Sequence, residues 1–315
     1  MIRQRTIKEP VEIEGTGLQT GKKVRLRLKG SPANSGINFI RVDLPNKPLL
    51  NIQSLGLGET SASARDVIHG RYASADSPPK LKRESNLSES GQVSGERRTT
   101  LGMGPIQVQT IEHLLAALSG LSIDNIVIEV DNIELPGLDG SAKNFLEILK
   151  KAKVTEQNAP KRILKIDEAV WCKSEDALLA VFPDKDFRIS YVLSYDSPSL
   201  GTQFFSIILN EERFESDVSP ARTFCLEKEA PELLKRGLGL GANYENTLVI
   251  GENGPVNNTF RFPNEPVRHK ILDLIGDLYL LGMSIKGHVV AIKSGHGLNM
   301  ELVRKLKVTY GKRKV

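Results

Sequence analysis

Apolar and polar residues alternate from Arg3 to Leu28 around the glycine-bearing stretch EGTGLQTG, which predicts a pair of strands joined by a tight loop. A further short strand is expected at 37–42. Residues 61–98 show no period of 2 or 3.6 and are rich in Ser, Pro, Lys, Arg and Glu, the pattern of a solvated insertion. Periodicity returns at Thr99. A strand at 106–109 leads to Thr110 as N-cap and to the apolar helix IEHLLAALSGL, ending near Gly120. The strand SIDNIVIEV, the turn-rich ELPGLDGSA and a helix over 142–153 follow, and VTEQNAPK at 154–161 reads as a linker. The second half restarts with strands predicted at 162–166, 169–173, 177–182, 188–193 and 203–208. After the loop SPARTF, the helical ELLKRG and the glycine-rich GLGLGANYENTLVIGENG come a helix over 268–282, the strand MSIKGHVVAI and a short terminal helix.

The helix at 268–282, RHKILDLIGDLYLLG, carries the unusual chemistry. His269, Asp273 and Asp277 recur every four residues and share one face, while Ile271, Leu272, Ile275, Leu278 and Leu281 cover the core side. Carboxylates in such a pattern are costly unless compensated. A divalent metal would compensate them, and so would exposure to water or mutual hydrogen bonding. The halves also echo one another: GLSIDNIVIEV at 120–130 and GMSIKGHVVAI at 282–292 share a pattern, and each follows a helix that opens with a histidine, His113 or His269. The expected architecture is α+β: two similar two-layer α/β-sandwich domains, 1–155 and 156–315, related by internal duplication with the active site between them.

Composition narrows the function. The chain has 315 residues, a net charge of +5 and two cysteines, Cys172 and Cys225, in no CxxC arrangement. Neither a disulfide framework nor a thiolate metal site is expected, and a reducing cytoplasm suits such a chain. No stretch reaches the length of a transmembrane helix and the N-terminus lacks a signal-peptide pattern. The positive charge suits a polyanionic partner such as a nucleic acid, an acidic membrane surface or a phosphorylated ligand, and does not choose among them.

Of five histidines, His69 lies in the irregular stretch and His288 within an alternating strand. If the two histidine-bearing helices face each other, His113 joins His269 and Asp273 as three ligands with one open position, the arrangement of a catalytic zinc site. Glu112, adjacent to His113, can serve as general base without being a ligand. His296, between Gly295 and Gly297, is expected to expose its ring at a strand end, and Asp277 is a candidate to hold that ring protonated. Thr223 offers a hydroxyl to an oxyanion.

Taken in order, TIEHLLAALSGLSIDNIVIEV, ELPGLDGSA, SPARTF, RGLGLGAN, RFPNEPVRHKILDLIGDLYLLG and KSGHGLN closely resemble the UDP-3-O-acyl-N-acetylglucosamine deacetylases, the zinc enzymes of the committed step of lipid A synthesis. The resemblance implies hydrolysis of the acetamide of a UDP-linked acylated sugar, one Zn2+ on His113, His269 and Asp273, and Glu112 as base. It also implies that Asp277 orients His296 as the protonated partner of the leaving amine and that Thr223 binds the oxyanion. Phe224 would pack on the sugar, and Lys270 and Lys293 would meet the phosphates. The family's usual GLH near the N-terminus is GLQ here, so Gln19 can hydrogen-bond to substrate but cannot titrate. The rival expectation, a basic RNA-binding protein without catalysis, leaves the Glu-His and His-x3-Asp pairs unexplained.

Overall fold

The structure, a computed structural model, describes residues 2–52, 97–103 and 106–310. Most of the insertion expected at 61–98, with His69, lies outside the described residues. The first half comprises β1 (Arg3–Ile7), β2 (Val11–Thr16), β3 (Lys23–Gly30), β4 (Ile37–Arg41), β5 (Leu49–Asn51), β6 (Thr100–Met103), β7 (Ile106–Gln109), α1 (Glu112–Gly120), β8 (Ile126–Val130) and α2 (Lys143–Lys151). The second begins with β9 (Val154–Pro160), β10 (Ile163–Lys165), β11 (Val170–Ser174), β12 (Ala177–Phe182), β13 (Phe187–Ser194) and β14 (Thr202–Ile208). Then come β15 (Phe224–Leu226), α3 (Ala230–Lys235), β16 (Leu248–Gly251), β17 (Gly254–Pro255), α4 (Glu265–Tyr279), β18 (Ser284–Ile292) and α5 (His296–Tyr310), with short helical turns at 211–218 and 227–229.

Two sheets of like topology frame the molecule. One runs β2-β3-β8-β4-β5, the other β11-β12-β18-β13-β14, with β10 added parallel to β18. In each, the first two strands form an antiparallel hairpin and the second of them lies antiparallel to the central strand. The third strand runs parallel to the central one and antiparallel to the fourth. The echoed segments at 120–130 and 282–292 supply the two central strands, β8 and β18, so the similarity in sequence marks equivalent places in the two sheets.

Alternation settles which face each strand buries. In β3, Val24, Leu26 and Leu28 are buried while Lys23, Arg25 and Arg27 are exposed. The long helices fill the space between the sheets: α1 packs on α4, and α4 and α5 pack on the second sheet. Leu26 and Phe39 from the first sheet, Leu114 and Leu118 from α1, Ile271 and Ile275 from α4, and Leu179 and Val289 from the second sheet belong to one contiguous buried cluster. Among the described residues no helix is long and apolar enough to cross a membrane.

Several boundaries differ from those expected. Residues 154–160 form β9, antiparallel to β1, and do not act as a linker. Their polar composition is that of an edge strand, which sequence alternation alone does not separate from a loop. Thr110 does not cap α1: its backbone is left-handed at φ 56°, and its hydroxyl donates to Glu134 at 2.9 Å, with Ile111 at the cap position. The helix expected at 268–282 starts and ends three residues earlier, because Pro266 supplies a favourable first turn and Gly282, at φ 70°, belongs to the turn that follows. His296 opens the 15-residue α5 and its side chain is only 14% exposed, so the ring is largely enclosed and not displayed at a strand end.

Candidate metal centre and active site

The crossing of α1 and α4 creates the site. A Cβ on Gly276 would stand 2.1 Å from the carbonyl oxygen of Glu112, so only glycine lets the two helices approach this closely. The approach sets the His113 and His269 rings edge to face, with centroids 5.1 Å apart at 85°. Spacing by four residues along α4 brings Asp273 Oδ1 to 3.3 Å from His269 Nε2, and the same oxygen lies 3.8 Å from His113 Nε2. His113, His269 and Asp273 are buried, and one ligand atom from each lies within 4.8 Å of the others.

This donor set fits a metal ion. His269 Nδ1 sits 3.0 Å from the carbonyl oxygen of Ala221, so its N–H donates there and the Nε2 lone pair faces the cluster. Burial, reinforced by His269, lowers His113 to about 3, and burial also lowers His269, leaving both imidazoles neutral. Burial raises Asp273, but the positive charges of Lys270 and His296 outweigh it and hold the carboxyl well below the usual range. Two neutral imidazoles and a carboxylate converging in a dry site are ligands of the type Zn2+ takes.

Around the triad stand the groups that can move protons. Glu112 is 2% exposed, its Oε2 accepts from the Thr99 N–H at 3.1 Å, and burial pushes its carboxyl up to about 7 against the pull of His296. His296 Nδ1 donates to Asp277 Oδ2 at 2.8 Å, while its Nε2 lies 4.0 Å from Asp273 Oδ2. Burial would lower this histidine, but Asp277 overrides it and raises the ring to about 9. Asp277 also accepts from the hydroxyl of Thr99 and, at 2.8 Å, from the amide of Asn299. Ser294 donates in turn to Asn299 at 2.6 Å.

The loops between the elements are fixed with equal care. Arg222 donates from its backbone and from Nε to Glu265 Oε1, both at 2.9 Å, which fastens SPARTF to the start of α4 and aims the Ala221 carbonyl at His269. Thr223 N–H donates to the Gly140 carbonyl at 2.8 Å, joining SPARTF to the LDGSA loop of the first half. The Phe224 ring lies 6.3 Å from that of His269 at 83°. Gln19, Thr223 and Phe224 line a cavity of about 300 Å3 with Arg97, Leu233 and Leu238. The Gln19 side-chain oxygen accepts from Gly239 N–H at 3.0 Å.

The structure thus brings together His113, His269, Asp273, Glu112, His296 and Asp277, with Phe224 against His269 and Thr223 next to it in the chain. Lys270 is largely buried and donates to Asp273 Oδ2 at 2.7 Å. Lys293 is exposed and paired with Asp176 at 2.5 Å. His288 sits on the outer side of the second sheet, 2.9 Å from Ser190 Oγ. A larger cleft of about 500 Å3, bordered by Arg5, Lys161 and Lys286, touches α4 at Ile275 and Leu278 and contains none of the predicted site residues. Sequence reasoning missed Thr99 and Asn299. Asn299 stands three residues after His296 inside KSGHGLN, so helical spacing could have found it; Thr99 has no such signal.

A family model described as UDP-3-O-acyl N-acetylglycosamine deacetylase matches residues 4–65 and 63–308. The UDP-3-O-acyl-N-acetylglucosamine deacetylase of Trichormus variabilis is 36% identical over 310 residues, covering 97% of this chain and 98% of the relative. The proteins of the same name from Chlamydia abortus and Pseudomonas entomophila are each 37% identical, covering 96% and 97% of this chain and 96% and 90% of their own.

Proposed function

Because the chain belongs to the UDP-3-O-acyl N-acetylglycosamine deacetylase family and is a hydrolase that deacetylates UDP-3-O-acyl-N-acetylglucosamine in lipid A synthesis, we propose a division of labour among its buried residues. His113, His269 and Asp273 hold one Zn2+. Lys270 fixes the second oxygen of Asp273, leaving the first for the metal. When bound, the ion polarises the acetamide carbonyl and makes water more acidic.

Glu112 accepts the proton from the attacking water, and Thr223 donates a hydrogen bond to the carbonyl oxygen as negative charge develops there. His296, held as imidazolium by Asp277, stabilises that charge and passes a proton to the departing amine. Phe224 packs on the sugar. The 3-O-acyl chain enters the cavity lined by Leu233 and Leu238, whose walls are mostly apolar. Gln19 forms part of the wall and borders the substrate. Lys293 meets a phosphate and exchanges Asp176 for it, which gives the net charge of +5 a use. The reading of that charge as RNA binding is left without support.

The observation that carries this proposal is the convergence of His113 from one half with His269, Asp273 and His296 from the other beside Glu112. Acetate release from UDP-3-O-acyl-N-acetylglucosamine, measured before and after chelation and again with Zn2+ restored, tests it. Activity that disappears with the metal and returns with it is expected; full activity in rigorously metal-free protein would overturn the assignment.

A further inference from the structure

The two sheets share a topology but differ in what they show to the outside. On the first, Glu12 pairs with Arg27 at 3.6 Å, Glu14 with Arg25 at 2.7 Å, and Lys29 with Glu129 across neighbouring strands. A sheet face laced with ion pairs in this way is built for water. On the second, the row of cross-strand neighbours Leu178, Ile292, Val192 and Phe204 is apolar throughout and ends in Lys173. The next row begins with Trp171, Ala180 and Val290 and ends in Ser190 and Ser206, and Phe182 stands beside His288 and Arg188 in the third. Trp171 is 55% exposed, Phe182 42% and Phe204 61%. The helices α4 and α5 pack against the other side of this sheet.

Charge distinguishes the occupant. The charged side chains at outward positions of these five strands are Lys173, Arg188 and Lys286, with His288 among them and no carboxylate. Arg188 reaches Asp184, in the preceding turn, at 3.2 Å. Lys305, paired with Glu301 at 3.1 Å, places its ammonium 5.9 Å from the centre of the Trp171 ring. Strand and residue spacings give the patch an area on the order of 400 Å2, well short of the roughly 800 Å2 per partner of a stable protein interface. A two-fold pairing of copies through it would also bring its cations together. Exposed aromatic side chains on an apolar face bordered by lysine and arginine suit the interface of an anionic bilayer, where rings sit at headgroup depth and cations meet phosphates.

We propose that the outer face of the second sheet, centred on Trp171, Phe182 and Phe204, docks the enzyme reversibly on anionic lipid surfaces. The inference stands apart from the assignment of the catalytic residues, since none of them lies on this face.

Trp171 is the only tryptophan in the chain, so its fluorescence reports on the face directly. With vesicles of phosphatidylglycerol and phosphatidylethanolamine at low salt, the full-length zinc-loaded enzyme should co-sediment, and its emission should shift to the blue. Vesicles of phosphatidylcholine alone should give neither effect. F182S/F204S should weaken vesicle binding by at least about tenfold, and K173E/R188E should weaken it in a way that tracks ionic strength. Both variants should keep zinc content and turnover of the soluble substrate. An unshifted Trp171 emission with the anionic vesicles would overturn the proposal, as would unchanged binding by F182S/F204S. A concentration-dependent dimer that this double variant abolishes would overturn it too, by giving the face to a second copy of the chain.

Discussion

Asp277 is wholly buried and accepts from His296, Thr99 and Asn299, so its hydrogen bonds are made without any help from solvent. Its effect on His296 gives a pH prediction with a definite sign. The neighbouring carboxylate raises the imidazole to about 9, and the role proposed for the ring at the amine requires its protonated form. Replacing Asp277 by Asn removes the raising charge, so the basic limb of kcat against pH should move to lower pH. A basic limb unmoved in the Asp277→Asn enzyme would remove His296 from the role. Glu112 tests the other end of the proton path: Glu112→Gln should keep its metal, measured by elemental analysis, while kcat falls by the ~10²–10⁴-fold typical of a lost general base. Thr99 ties the two together, since its N–H reaches Glu112 and its hydroxyl reaches Asp277. Thr99→Val should therefore lower kcat with metal content unchanged, a loss visible in steady-state kinetics.

At the scale of elements, the site depends on how closely two helices cross. Gly276→Ala would set a methyl group against the Glu112 carbonyl, a backbone atom that cannot turn aside as a side chain can. Overpacking of this kind costs about 1–3 kcal/mol and would push α1 outward with Glu112 and His113 on it. Lower thermal stability together with weaker metal retention is expected, read by calorimetry and by competition with a chelator. The sequence made much of this scale legible. The alternation in the strands placed most of β10–β14 within a residue or two, and the repeat along α4 put His269, Asp273 and Asp277 on one face. What it concealed has physical causes. The polar strand β9 carries no alternation because it lies at an edge, paired with β1 alone. The role of Thr99 depends on contacts with residues 13 and 178 positions away, which no local period can encode.

For the whole molecule, one buried cluster spans both sheets and all the helices between them, so the halves share a core. Unfolding should accordingly be a single cooperative transition by calorimetry, and two separated transitions would contradict the shared core. If the proposed ligands from both halves hold an ion, its binding adds stability: at a thousandfold excess over its Kd a bound ion contributes about 4 kcal/mol. Chelation should lower the melting temperature without splitting the transition. The burial of α1 has a further consequence, during synthesis. Every residue of that helix except Ser119 is buried, much of it against α4, and α4 begins 145 residues after α1 ends (265 − 120 = 145). At ~5–20 residues per second, a ribosome needs on the order of ten seconds to deliver the partner. Throughout that interval Leu114, Leu115 and Leu118 lack their final cover, making the nascent chain a client for chaperones; a polypeptide stopped at residue 155 should collect in the insoluble fraction when the full chain does not.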